Sequence, residues 1–208
     1  MDIANLILDF VESLLWPAVV LLALLLYRGD ISDAIRRLKS LATPAGSAEF
    51  AEAARVLLDE AAASTKTVVS AGSKRGVLRR LEYASDILKG GRLLWADDHP
   101  EGNTSLVELF RTAGMEVDTA VSTAEALARL RRRSYDLILS DIGRQEDQSA
   151  GISMLRDLDE LGIDTPVVFY TFGFDYQRGF PHRAFAVTEA PNEVVHYVID
   201  LMERARLS

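Results

Sequence analysis

The chain has 208 residues, room for one large domain or for one ordinary domain with an appendage. Apolar residues make up 49 % and charged residues 26 %, a folding composition rather than a disordered one. Lys plus Arg is 23 against 31 for Asp plus Glu, a net charge of −8, which disfavours nucleic-acid binding because that affinity comes largely from phosphate neutralisation. There is no Cys, so disulfides, thiolate zinc sites and Cys nucleophiles are excluded. The three His residues, His99, His182 and His196, are too few and too scattered for a multi-His metal site.

Leu14 to Tyr27 is uninterrupted by charge. Extended back to Phe10 or Val11 it reaches about 17 residues, the lower limit for a bilayer-spanning helix. Trp16 and Tyr27 mark its two ends, where amphipathic rings favour the headgroup zone. Asp2, Asp9 and Glu12 precede it; Arg28, Arg36, Arg37 and Lys39 follow it. That asymmetry predicts an anchor with its C-terminal side in the cytoplasm. A cleaved signal peptide would need a basic start and a small-residue cleavage site, and neither is present. A buried core helix is the competing reading of so short a run.

The next segment reads as a helical spacer. Ile31, Ile35, Leu38 and Leu41 share one face of a juxtamembrane helix whose cations either meet anionic lipid or simply face water. Residues 43–47 break it. Phe50, Ala54, Leu57, Leu58, Ala61 and Ala62 then recur at helical spacing. A Gly/Ser/Lys-rich break is expected over Ser70 to Gly76, and a further short helix on Leu78, Leu81, Ser85 and Leu88, ended by Gly90-Gly91. These helices are left to pair with each other, to pack on the following domain, or to self-associate through residues 48–90.

From Arg92 the pattern alternates. Strands are expected at Arg92–Ala96, Met115–Ala120, Asp136–Ser140, Pro166–Tyr170 and Ala184–Val187. Helices are expected at Ser105–Ala113, from Ser122 to about Arg133, at Gly151–Leu161, weakly at Asp175–Arg183, and at Asn192–Arg206. Ser122 with Glu125 has capping-box spacing. The alternation predicts an α/β fold, a doubly wound five-stranded parallel sheet preceded by a transmembrane helix and a helical spacer; in the order 2-1-3-4-5 its first and third strands are neighbours. The domains are 1–28 (anchor), 29–90 (spacer) and 91–208.

Asp97 and Asp98 follow the first strand, Asp141 the third and Thr171 the fourth. In open parallel sheets ligands bind beyond those ends. Taken singly, each Asp has an ordinary role as a helix cap or turn residue. Taken together, three converging carboxylates suit a hard divalent cation such as Mg²⁺, and a carboxylate beside it is a plausible nucleophile towards phosphorus.

Residues 92–206 resemble the receiver domain of two-component response regulators. The resemblance rests on LLWADDHP at 93–100, LILSDI at 137–142, VVFYT at 167–171, and Pro191 before the last helix. It implies a flavodoxin-like fold, Asp141 as phospho-acceptor, and Mg²⁺ held by Asp97, Asp98, Asp141 and the carbonyl of Gly143. It also implies Thr171 as the switch hydroxyl and a sensor histidine kinase or other cytoplasmic protein as partner. Three departures stand out. Ala190, preceded by Glu189, stands where the family carries Lys, and residues 92–208 contain no lysine. The usual Met-Pro after the acceptor is replaced by Gly143-Arg144-Gln145-Glu146-Asp147. The aromatic switch position falls on Val187, with Phe185 nearby.

The expectation is therefore a signalling protein at the inner membrane and not a turnover enzyme. It carries its receiver-like domain in the cytoplasm and accepts a phosphoryl group on Asp141. No DNA-binding segment follows the domain in this sequence, so a transcriptional role is not expected. The alternative is a phosphorylation-independent pseudo-receiver, a membrane-tethered interaction module; a phosphate-ester hydrolase stands third.

Overall fold

A computed structural model describes residues 44–144, 147–175, 177 and 179–207, with side chains described from Glu49 on. The anchor expected on residues 1–28 and the amphipathic segment 31–41 lie outside them. No helix among the described residues is long and apolar enough to cross a membrane. From Glu49 onward the chain forms one unit.

Apolar residues three and four apart make α1 (Pro44–Ser64) and α2 (Ala71–Leu88) two-faced helices. α1 buries Ala54, Leu58, Ala61 and Ala62; α2 buries Val77, Leu81, Ala84 and Leu88. The expected break over 70–76 is shorter than read. Ser70 is an N-cap whose Oγ accepts from the Ser73 N–H at 3.1 Å, so α2 starts at Ala71 and carries Gly72 and Gly76 inside it.

The sheet strands are β1 (Arg92–Ala96), β2 (Glu116–Ala120), β3 (Leu137–Ser140), β4 (Val167–Tyr170) and β5 (Ala184–Thr188). They pair in parallel in the order β2-β1-β3-β4-β5, the order expected from the sequence. The period-2 alternation of strands sorts their side chains into two cores. Leu93, Trp95, Leu137, Leu139, Val168 and Tyr170 join one with α3 (Thr104–Thr112) and α6 (Pro191–Leu207). Leu94, Ala96, Ile138, Val167, Phe169 and Val187 join the other with α4 (Thr123–Leu130) and α5 (Ala150–Glu160). At the start of α4 the Ser122 Oγ accepts from the Glu125 N–H at 3.2 Å, while Glu125 reaches back to the N–H of Val121 at 3.0 Å.

α1 and α2 add to the α3/α6 side. Their buried residues belong to the same core cluster as Trp95, Phe110 and Val198. Arg80 of α2 pairs with Asp200 and, at 3.2 Å, with Glu203 of α6. Glu60 of α1 accepts from Ser105 of α3 at 3.2 Å. The apolar faces that the sequence left without a partner are buried within this unit.

Of the weak helix expected over 175–183, only a 3-10 position at Gln177 is present among the described residues. Gly179 (φ +89°) sits in the left-handed region and Pro181 removes a donor, so no α-helix extends on to Arg183. Instead of a covering helix, the β4–β5 connection presents Phe172 and Phe180, each more than half exposed.

Candidate functional site

β1 and β3 are neighbours, with Ala96 in register with Ser140, so the residues just beyond them meet. The structure brings Asp97, Asp98 and Asp141 together: one oxygen from each lies within 4.8 Å of the others. Asp97 is nearly buried. Its two oxygens accept from the His99 N–H and from Asn103 Nδ2, both at 2.7 Å. Burial pushes its carboxyl above the ordinary range and the charges of Asp141 and Asp98 push the same way, while those two hydrogen bonds oppose. Asp141 accepts from the Ile142 N–H at 2.7 Å, which aims its carboxylate across the end of the sheet. His99 is largely exposed; its ring pairs with Glu101 at 3.2 Å and lies 3.9 Å from a carboxylate oxygen of Asp98.

Thr171 continues β4, its N–H bonded to the Thr188 carbonyl at 3.1 Å. It lines, with Asp98, Asp141 and Gly143, a cleft of about 810 Å³ that opens beside the carboxylates. The sequence-expected site residues therefore share one cleft edge, with Asp97 just beneath it.

At an effective dielectric of about 20, two unit charges about 5 Å apart repel by roughly 3 kcal/mol. Three all-oxygen donors so close form a set that fits a hard divalent cation. A group whose folded pKa is raised costs stability once it ionises. In EDTA, stability should therefore fall as pH rises from the ordinary carboxylate range through the raised value of Asp97. Asp97→Asn should flatten that fall; urea midpoints taken across pH would show it, and an unchanged slope would contradict it.

Residues 93–179 match the family model of the response regulator receiver domain. This part of the chain is a receiver domain. The transcriptional regulatory protein DltR of Streptococcus agalactiae is 31 % identical over 80 residues, which are 38 % of this chain and 35 % of that protein. This chain thus spans about a third of the curated relatives it matches. Among solved structures, the receiver domain of Francisella response regulator 1452 is similar at 23 % identity and a TM-score of 0.50, covering 56 % of this chain and 99 % of that one. The signal receiver domain of an HD domain-containing protein from Pseudomonas fluorescens is similar at 15 % identity and a TM-score of 0.50, covering 58 % and 100 %. Both show the fold, flavodoxin-like with five parallel strands.

Against the receiver pattern, three further residues matter here. Arg144 is 5 % exposed and lines the same cleft as Asp98 and Asp141. Its guanidinium donates to Thr123 Oγ1 at 2.8 Å, to the Asp141 carbonyl at 3.1 Å, to the Ala96 carbonyl at 3.3 Å, and to Ser140 Oγ. Glu189 sits at the position before Ala190. Its Oε1 accepts from the N–H of Gly173 at 2.8 Å and of Phe174 at 3.3 Å, holding the segment after Thr171. Gly151 opens α5 against the acceptor loop, its N–H bonded to the Ile142 carbonyl at 2.8 Å. In the sequence Arg144 is only part of the segment that replaces the usual Met-Pro. The signal that could have found it is a cation three residues past Asp141 in a domain without lysine.

The two aromatic candidates part company. Val187 is buried in the α4/α5-side core, whereas Phe185 packs edge-on against Tyr197 at 6.0 Å with Arg204 over its ring.

Proposed function

We propose that the chain is a membrane-tethered receiver of a two-component phosphorelay, with Asp141 accepting a phosphoryl group from a sensor histidine kinase or another cytoplasmic donor. The observation that carries it is the convergence of Asp97, Asp98 and Asp141 at the ends of β1 and β3, with Thr171 beside them. Asp97, Asp98, Asp141 and the Gly143 carbonyl would hold Mg²⁺, which when bound supplies charge neutralisation for carboxylates and phosphoryl oxygens alike. The Asp141 carboxylate, aimed by the Ile142 N–H, attacks phosphorus in line with the departing donor. Thr171 Oγ1 donates to a phosphoryl oxygen. In this reading the tether is residues 1–28, and their uncharged run and one-sided cations argue for the domain on the cytoplasmic face of the inner membrane. Self-association through residues 48–90 is not part of this reading, because their apolar faces are buried inside the unit.

The test is intact-mass measurement of the full chain after acetyl phosphate with Mg²⁺. A gain of one phosphoryl group, lost in Asp141→Asn and without Mg²⁺, supports the reading; no gain in the parent protein overturns it. The second reading, a pseudo-receiver acting only by contact, draws on Ala190 in place of lysine and on Glu189 already bonded to the segment after Thr171. It predicts no mass gain, and cleft contacts unchanged by beryllium fluoride.

A further inference from the structure

We infer that Arg144 is the built-in counter-charge of the carboxylate triad, and that it competes electrostatically with a divalent cation for that triad. The inference deepens the proposed function and rests on the triad being the cation site.

A guanidinium stays charged at any physiological pH, and one this buried must face compensating charge or polar acceptors. Arg144 has both. Its Nη atoms are tied to the ends of β1 and β3 and to the first residue of α4. Its Nε, buried against the cleft it lines, has no partner among the described residues. The charges it feels are those of Asp141, Asp97, Asp98 and, beyond the triad, Asp147. Burial alone would disfavour its charge; the carboxylates oppose that, and the attraction is mutual. One positive charge fixed at the strand ends beside three negative ones removes part of the field that draws in a divalent cation. It also leaves the loop organised when no cation is bound.

Two measurements on the full chain test this. First, binding of Mn²⁺ is read from the free-ion EPR signal. Arg144→Gln should bind at least about tenfold tighter than the parent, and Arg144→Lys within about threefold of it, because lysine keeps the charge. Unchanged or weaker binding by a natively folded Arg144→Gln overturns the competition. Second, urea midpoints are compared in EDTA, where no metal contributes. The loss caused by Arg144→Gln should shrink by half or more in an Asp141→Asn background. An equal loss in both backgrounds would mean that the guanidinium acts only through its hydrogen bonds, and the inference falls. If Arg144→Gln unfolds in EDTA, its recovery by Asp141→Asn supports the inference. Failure of Arg144→Lys to fold would put side-chain geometry rather than charge in control, and overturns it. No Mn²⁺ bound by any variant, with the coupling in EDTA intact, removes the metal reading and leaves Arg144 as the counter-charge.

Discussion

Gly151→Ala should destabilise the protein by about 3 kcal/mol and loosen the acceptor loop, an effect far larger than a surface Gly→Ala change. A β-carbon there would fall on the carbonyl oxygen of Asp141 and come within 2.9 Å of both the Ile142 Cα and a Phe169 ring carbon. Two of those neighbours are backbone, and the third belongs to a fully buried side chain. None can swing aside as a long surface chain would. α5 and the acceptor loop must separate, and Asp141 leaves its place beside Asp97 and Asp98. The urea midpoint in EDTA reads the first effect. Mn²⁺ affinity reads the second, and should fall. Gly162→Ala supplies the contrast: open space surrounds it, and its φ of +64° confines the cost to local strain. If Gly151→Ala were as mild as Gly162→Ala, α5 would not be what positions the acceptor.

The parallel sheet was legible because buried strands in this chain are short, β-branched or Leu-rich, and punctuated by Gly, Pro and Asp. Strand order is not legible from periodicity; it comes with the receiver resemblance, and it is what makes β1 and β3 neighbours and lets the acidic residues converge. The carboxylates and Thr171 were legible because a strand end is a position that sequence pattern can locate. Arg144 was not, because its role depends on the loop folding back beside the triad, a tertiary event with no local periodicity. Glu189 carries no local signal beyond its place before Ala190. Its bonds to Gly173 and Phe174 cross between two loops that are 15 and 16 residues away in sequence. The helix expected over 175–183 shrinks to a 3-10 position at Gln177, because the left-handed Gly179 and then Pro181 end the pattern. Glycine and serine over 70–76 read as breakers in the sequence, whereas Ser70 is the cap from which α2 starts. Once the helix is paired with α6, packing rather than propensity sets its length.

The second large effect concerns α1 and α2. Were they a linker, truncating a side chain within them would change stability by no more than about 0.5 kcal/mol. Leu81 is instead fully buried, in the same core as Trp95, Phe110 and Val198. Leu81→Ala should therefore cost about 2–5 kcal/mol, as much as Leu137→Ala in the centre of the sheet. A chain begun at residue 92 should fare worse still. It exposes the apolar surface of α3 and α6 that Ala54, Leu58, Val77, Leu81 and Leu88 now cover, and it strips Asp200 and Glu203 of Arg80. Compared with the full chain, such a fragment should show a lower thermal midpoint and concentration-dependent aggregation. Equal midpoints for the fragment and the full chain, or a Leu81→Ala cost within about 0.5 kcal/mol, would mean that the receiver stands without these helices.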